Sequence, residues 1–258
     1  MTDEFGNRMK MYESKEISNK LDSSKPIIVR IDGKNFSKYT KRLAKPYDET
    51  FSHLMIDVTK FLVKETNAKI GYTQSDEITL VLYSNDPEKE VFFDGKTQKL
   101  ISVISSLATA KFNQLANNKL STKLVPEFAT FDCRVFQVPD KIEAANALLW
   151  RTIDAKKNSI SMATRAHYSA SEMHLKNSLE KLEMLLDKGV DWNLFPAFFK
   201  FGSFVATRLV DKEFTAEELD RIPKEHIPKL PVRRKSVIDL NLYDFMEIEN
   251  KIGIIFGD

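Results

Sequence analysis

The stretch GYTQSDEITLVLY, residues 71–83, decides the fold expected of this chain. Two strand-like runs surround a short polar turn, which predicts a β-hairpin over residues 69–73 and 77–83. Two adjacent carboxylates, Asp76 and Glu77, lie at that turn, directly before a run that reads as a buried strand. The position of these acids at the edge of an expected core is the feature that requires an explanation.

The elements on either side of this hairpin alternate between helix and strand. Short apolar β-branched runs indicate strands, and apolar residues at three- and four-residue spacing indicate helices. We expect strands over residues 26–31, 134–138, 201–210 and 237–242, and helices over residues 50–66, 98–118, 141–152 and 171–188. This order predicts an α+β fold, with a ferredoxin-like or polymerase-palm-like antiparallel sheet, flanking helices and a helical C-terminal part.

The composition is that of an ordinary globular protein, with 258 residues, 42% of them hydrophobic and 29% charged. The absence of a glycine- or serine-rich linker predicts a single catalytic domain over residues 1–258, with a palm core to about residue 140 and an extension over residues 141–258. A net charge of +2 does not by itself indicate a nucleic-acid partner. The lone Cys133 excludes an intramolecular disulfide. No apolar run reaches the roughly 20 residues of a membrane span, so we expect a cytoplasmic protein without a membrane partner.

A second carboxylate lies at the end of another expected strand. Asp32 follows the apolar run 26–31, and Asp76 comes 44 residues later. If the two strands are neighbours, these acids lie side by side and repel each other unless a cation separates them. Mg²⁺ binds carboxylates together with substrate phosphates, and two such ions could clamp a displacement at phosphorus. The plainer interpretation, that these are ordinary turn residues, stays open on spacing alone.

Two segments have a composition suited to phosphate groups. Residues 33–37 combine a glycine, a cation and consecutive backbone amides, which can wrap a triphosphate, although the spacing of a Walker loop is missing. Arg233, Arg234 and Lys235 form a compact basic cluster at the end of the proline-containing stretch 223–235, which reads as an irregular loop. That cluster could contact RNA phosphates. A solvated surface is the alternative for it.

Taken together, these residues resemble those of the tRNA(His) guanylyltransferases and their Thg1-like relatives, which are polymerases that extend RNA in the 3′-to-5′ direction. The matching segments are VRIDGKNFSKYT (29–40), AKPYD (44–48), GYTQSDEITLV (71–81), FDCRV (131–135) and, in part, WRTIDAKKN (150–158). The resemblance covers about residues 26–205 and implies a palm like that of DNA polymerases.

The resemblance also implies which residues carry the chemistry. Asp32, Asp76 and the Gly33 carbonyl would hold two Mg²⁺ ions, and Glu77 would support the catalytic site. The implied nucleotide-binding residues are Asp32, Gly33, Lys34, Asn35, Phe36, Ser37, Lys45, Ser75 and Asp76. Asp154 and Asn158 match a segment that is important for activity in the family, without an assigned role.

The implied reaction is template-dependent addition of nucleotides, notably G, to the 5′ end of tRNA. The 5′ end is either adenylylated with ATP or already triphosphorylated, and GTP or another nucleotide then attacks it. The resemblance also implies a homotetramer. Only Asn158 remains of the family's histidine- and asparagine-rich run, and Cys133 replaces a glycine. The first departure favours the branch that repairs tRNA 5′ ends. Two alternatives stay open. One is a palm-type nucleotide cyclase, although the glycine-glycine-acid signature of cyclases is absent from this sequence. The other is a non-catalytic RNA-binding module.

Overall fold

The structure of the protein is a computed structural model, and it describes residues 4–17, 19–86, 89–120, 128–212, 214–223 and 233–257. Its centre is a six-stranded sheet in which every pair of neighbouring strands is antiparallel. The strands are β1 (Ile27–Gly33), β2 (Ile70–Gln74), β3 (Glu77–Leu82), β4 (Phe131–Gln137), β5 (Ser203–Asp211) and β6 (Arg233–Asp239). Their order across the sheet is β4-β1-β3-β2-β5-β6. The antiparallel sheet and the α+β class expected from the sequence are confirmed.

Helices cover both faces of this sheet. They are α1 (Glu4–Ile17), α2 (Phe36–Tyr39), α3 (Glu49–Thr66), α4 (Thr97–Lys119), α5 (Lys141–Arg165), α6 (Ser178–Asp187), α7 (Ala197–Phe201), α8 (Ala216–Asp220) and α9 (Lys251–Phe256). Short 3₁₀ turns cover Phe92–Gly95, Trp192–Leu194 and Phe245–Glu247. None of the helices within these described ranges is long and apolar enough to cross a membrane.

The alternation of residues along β1 explains how two cores form on one sheet. Ile27, Val29 and Ile31 face the core that α3 and α4 cover. Ile28 points to the opposite face, where its neighbours belong to α5 and α9. Successive side chains of a strand alternate between faces, so Asp32, which is two positions after Arg30, continues the face covered by α5. This parity directs the acid of β1 towards that helix.

Three boundaries differ from those that the sequence predicts. Helix α5 continues to Arg165 instead of ending near residue 152, because small and apolar residues keep the helical spacing on its buried side. Helix α6 begins at Ser178 rather than near residue 171, because Asn177 and Glu180 form a capping box that fixes its start. Helix α1 was not predicted, because its side chains show weak apolar periodicity and mostly point to solvent.

The C-terminal part contributes strands as well as helices. Residues 203–205 of β5 pair with β2, and β6 pairs with β5 along its length, so both strands extend the sheet that begins before residue 140. The prediction that the basic residues at 233–235 lie in a loop was wrong, because they form the first half of β6. Residues 224–232 of the expected loop lie outside the described residues. The division of the chain near residue 140 stays a prediction.

Candidate active site

The two aspartates meet where β1 ends and the β2–β3 hairpin turns. Asp32 is opposite Glu77 in the antiparallel register of β1 and β3. The Gly33 amide donates a hydrogen bond to the Asp76 carbonyl oxygen at 3.2 Å, which fixes the turn beside the end of β1. Ser75 adopts a left-handed conformation with φ of 53° in this tight turn. The structure therefore brings Asp32, Ser75 and Asp76 together at one edge of the sheet.

The electrostatics of this edge disfavour two bare carboxylates. Burial, followed by the negative charge of Asp32, raises the pKa of Asp76 to about 6, although the Ser75 hydroxyl donates to its Oδ1 at 3.0 Å. Neither aspartate has an ion pair with a described residue. The described ranges contain no cluster of three or more histidine, cysteine or acidic residues that could hold a metal. A cation here must take further ligands from backbone, water or substrate, and Mg²⁺ accepts such a set of hard oxygens.

Glu77 is held differently from its neighbour in sequence. Arg151 of α5 donates from Nε to Oε1 at 2.6 Å and from Nη2 to Oε2 at 2.7 Å. Arg30 of β1 adds a contact from Nε to Oε2 at 3.2 Å. Arg151 also reaches Oδ2 of Asp154 at 2.7 Å from Nη1. Arginine side chains bind both carboxylate oxygens of Glu77, so this residue anchors α5 to the sheet. The carboxylates of Asp32 and Asp76 have no such partner among the described residues.

The loop after β1 is shaped by one glycine and one aromatic ring. A Cβ atom at Gly33 would lie 2.3 Å from the Phe36 ring, so a side chain does not fit there. Phe36 is buried against Tyr39, Phe112 and Phe131. Asn35 has a φ of 58°, which turns the chain into α2. This packing leaves the side chains of Lys34, Asn35 and Ser37 exposed while the ring of Phe36 fixes the loop.

A cleft of about 660 Å³ lies against this loop. Its lining combines the polar residues Asn35, Ser37, Ser75 and Asp76 with a group of aromatic rings. These rings are Tyr47, Phe198 and Phe199, with centroid distances from Tyr47 of 5.4 Å to Phe198 and 4.8 Å to Phe199. Ligand sites of small molecules commonly have volumes of about 300–1,000 Å³ with apolar walls and a few polar groups. A nucleotide, with its polar phosphates and its flat base, matches both the size and the mixed polar and aromatic lining of this cleft.

A second, smaller cleft of about 250 Å³ adjoins the first. It contains Asp32 and Asp76 together with Arg151 and Asn158 of α5. Ser75, Asp76, Met162 and Arg165 line both clefts. Asp76 therefore lies at the junction of two spaces, one large enough for a nucleotide and one open to a second reactant, and Asp32 lines the smaller of the two.

The remaining residues from the sequence prediction separate into three groups. Lys45 lines the larger cleft, and its ammonium donates to the Thr40 carbonyl oxygen at 3.3 Å. Asn158 lines the smaller cleft, whereas Asp154 is paired with Arg151. Arg233, Arg234 and Lys235 lie on β6, at the far edge of the sheet and three strands from β3. Arg233 is paired there with Asp211 at 3.2 Å. The basic cluster thus does not belong to the carboxylate site.

Two residues of the site were not singled out from the sequence. Arg151 is part of the matching segment 150–158, and its spacing of three residues from Asp154 on one helix signals an ion pair. Arg165 has no comparable signal. It reaches the site only because α5 continues through residue 165, and its exposed guanidinium has no ion pair with a described residue.

Comparisons with known proteins agree with this geometry. The family model described as Thg1, tRNAHis guanylyltransferase, matches residues 6–139. A protein of Acanthamoeba polyphaga mimivirus is 30% identical over 230 residues, covering 80% of this chain and 78% of its own. A bacterial tRNA(His) guanylyltransferase (Thg1)-like protein in complex with ATP has a TM-score of 0.73 and 37% identity, with 79% of this chain and 87% of that chain covered. The bacterial Thg1-like protein in complex with GTP has a TM-score of 0.71 and 32% identity, with 92% and 91% covered.

The palm-like sheet and the acids at its strand ends define a protein of the nucleotidyltransferase class, and the palm arrangement expected from the sequence is confirmed by these neighbours. The chain belongs to the Thg1 tRNA(His) guanylyltransferase family. The resemblance given by the five sequence segments is therefore confirmed.

Proposed function

We propose that this protein is a template-dependent 3′-5′ nucleotidyltransferase that adds nucleotides, notably G, to the 5′ end of tRNA. The observation that carries the proposal is the pair Asp32 and Asp76, which have no cationic partner among the described residues. Asp76 lines both clefts, and Asp32 lines the smaller one. A reaction between a nucleotide and an RNA end needs two adjoining spaces that share one set of charges. The bound ATP and GTP of the bacterial Thg1-like proteins support nucleotides as substrates.

Asp32, Asp76 and the Gly33 carbonyl are the proposed ligands of two Mg²⁺ ions. The ions would neutralise phosphate charge and polarise the attacking hydroxyl. The turn at Ser75 and the Gly33–Asp76 hydrogen bond hold the two carboxylates at a fixed separation before any ligand arrives. Preorganised charge of this kind contributes to catalysis without reorganisation during the reaction.

The larger cleft is the proposed site of the incoming nucleotide. The backbone of residues 33–37, the side chains of Lys34, Asn35 and Ser37, and Ser75 would surround its triphosphate. Lys45 would add a positive charge, and the rings of Tyr47, Phe198 and Phe199 would pack against the base and sugar. The ring of Phe36 is buried in the core and fixes the backbone of this loop.

The smaller cleft is the proposed position of the RNA 5′ end. Asn158 and Arg165 line it together with the two aspartates. Arg165 borders both clefts, so its guanidinium can contact the phosphates of either reactant, and arginine offers paired donors for phosphate oxygens. Glu77 holds α5 against the sheet through Arg151, and Asp154, on the same helix, orients that guanidinium.

The reaction proceeds in two stages in this proposal. ATP first adenylylates a tRNA 5′-monophosphate and releases pyrophosphate. The 3′-hydroxyl of GTP, or of another nucleotide opposite a template base, then attacks the 5′ phosphorus and displaces AMP. A 5′-triphosphorylated end is attacked directly, with loss of pyrophosphate. We assign the protein to tRNA 5′-end repair in the cytoplasm, as a homotetramer, with Arg233, Arg234 and Lys235 as further RNA contacts on β6.

One assay tests this function. The protein is incubated with Mg²⁺, ATP, labelled GTP and a 5′-monophosphorylated tRNA that lacks its first nucleotide. Label at the RNA 5′ end supports the proposal. A cyclic nucleotide formed without RNA would identify a cyclase, and RNA binding without any product would identify a binding module. The same assay applied to an Asp76→Asn variant tests the role of that carboxylate. Asp187→Asn makes the same change at an exposed position on α6 and is its matched control.

A further inference from the structure

The segment between the glycine of β1 and the start of α3 is unusually basic. Residues 33–47 contain five lysines and arginines and no acidic residue. Lys34 and Lys45 belong to the proposed nucleotide site. The other three, Lys38, Lys41 and Arg42, line neither of the two clefts. We call these three residues the outer basic surface.

The outer basic surface is built on a rigid turn. Phe36, Tyr39 and Leu43 of the same segment are buried in the core beside α3 and α4. Backbone hydrogen bonds from Thr40 to Phe36 at 2.8 Å and from Leu43 to Thr40 at 3.1 Å close successive turns. The apolar residues therefore face inward at every third or fourth position and leave Lys38, Lys41 and Arg42 exposed. The backbone that carries these charges is fixed before a ligand binds.

These three cations differ from several other surface lysines, which are paired with acidic side chains. None of them makes an ion pair or a side-chain hydrogen bond with another described residue. Elsewhere Lys20 pairs with Asp94 at 2.6 Å, Lys60 with Asp239 at 2.7 Å and Lys119 with Asp57 at 3.2 Å. A compact group of uncompensated cations creates a local positive potential despite a net charge of only +2.

We propose that the outer basic surface binds the phosphodiester backbone of the RNA duplex whose 5′ end enters the smaller cleft, which rests on the function proposed above. Ser37, Thr40 and Leu43 line the larger cleft and alternate with the three cations in sequence, so the outer basic surface borders the cleft that shares Ser75 and Asp76 with the smaller one. The exposed residues of the segment include no large apolar side chain. Protein interfaces usually bury apolar and aromatic residues at their centre, so the chemistry favours a polyanion over a protein partner.

The test compares the triple variant Lys38→Gln, Lys41→Gln, Arg42→Gln with the wild-type protein. Binding of a 5′-monophosphorylated acceptor-stem RNA duplex is measured by fluorescence anisotropy at several salt concentrations. Each phosphate contact contributes about 0.7–0.9 to the slope of log K against log salt, so we expect the slope to fall by about 2–3. Affinity at about 0.1 M salt should fall roughly 10- to 100-fold. Binding of GTP alone should not change, because the three residues line neither cleft.

A matched control removes the same number of charges elsewhere. Lys10, Lys64 and Arg221 are exposed and have no ion pair with a described residue. Their triple glutamine variant should retain the wild-type slope. An unchanged slope in the Lys38, Lys41 and Arg42 variant would overturn the proposal, as would an equal loss of GTP binding. A wild-type protein that neither binds nor extends the RNA would instead refute the proposed function itself.

Discussion

Two groups of acidic side chains lie at the same end of the sheet, and the structure treats them in opposite ways. Asp32 and Asp76 approach each other without a cation from the described protein, and the pKa of Asp76 rises to about 6 through burial and the charge of Asp32. Glu77 and Asp154 share the guanidinium of Arg151. The first group is an electrostatic cost to the folded protein, and the second group stabilises it.

This difference distinguishes binding groups from supporting groups. A carboxylate whose oxygens are already satisfied by arginine gains little from a metal ion. A carboxylate with a raised pKa and open oxygens gains both charge neutralisation and ligation. Perturbed pKa values of this kind are concentrated at functional sites. Spacing alone gives Asp76 and Glu77 equal weight because they are neighbours. The family resemblance implies different roles for them, and their hydrogen-bond partners also differ.

The largest expected effect is the loss of activity at the open pair. Asp76→Asn removes a proposed metal ligand without changing the size of the side chain, so nucleotide addition should fall on the order of 10³-fold or more. The assay of label transfer to the tRNA 5′ end measures this effect, with Asp187→Asn as its control. If Asp76→Asn retains more than a tenth of wild-type activity, the metal assignment is wrong.

The next effect concerns the paired group. Glu77→Gln leaves the guanidinium of Arg151 without its full counter-charge, and the two side chains are only 12% and 10% exposed. Breaking such a pair should lower the free energy of unfolding by about 2–4 kcal/mol. Urea unfolding monitored by circular dichroism measures this quantity. The exposed Glu183→Gln on α6 is the control, and equal stability of the two variants would contradict the anchoring role of Glu77.

Replacement of Asp76 should change the free energy of unfolding by a smaller amount and in the opposite direction. Since its pKa is raised from 3.8 to about 6 in the folded protein, ionisation destabilises the fold above that pH and has no effect below about pH 4. Asp76→Asn should therefore raise the free energy of unfolding by about 1–3 kcal/mol at pH 8 without metal. This gain should disappear as the pH falls towards 4. A destabilised variant at pH 8 would show that the carboxylate has a favourable partner.

The smallest effect is expected at Asp154. Its side chain is 36% exposed, so solvent screens its contact with Arg151. Asp154→Asn should change the free energy of unfolding by about 1 kcal/mol or less. Activity should fall more than stability if Asp154 orients Arg151 towards the clefts. Kinetic constants measured beside urea unfolding separate these two roles, and a stability loss as large as that of Glu77→Gln would remove the distinction between them.

Much of the sheet follows from local patterns in the sequence. The strand at 27–33 and the hairpin at 70–82 are short apolar runs with clear breaks, so their positions were predicted within two residues. Because these strands are neighbours in the sheet, Asp32 and Asp76 lie close together. The family resemblance added the identity of the reactants, which spacing does not reveal.

Other features depend on contacts that a local pattern does not contain. The strand at 233–239 carries three basic residues in its first half, which the sequence predicts as a loop before a strand at 237–242, and pairing with β5 makes this half part of the strand. The second half of α5 was missed because most residues on its buried side, such as Ala155, Ser159 and Ala163, are small or polar and give a weak apolar signal. As a result Arg165 could not be assigned to the site. The bond between Glu77 and Arg151 spans 74 residues and is likewise invisible without the fold.

Gly202 shows how the shape of the larger cleft depends on a residue that does not line it. Its φ is +79°, and a Cβ atom there would lie 2.5 Å from the Tyr72 hydroxyl and 2.7 Å from the Thr73 carbonyl oxygen. This glycine joins α7, which carries the Phe198 and Phe199 wall, to β5, while the Tyr72 hydroxyl donates to the Phe201 carbonyl oxygen at 2.9 Å. The shape of the larger cleft could thus change through the angle between a helix and a strand, without replacement of any side chain that lines it.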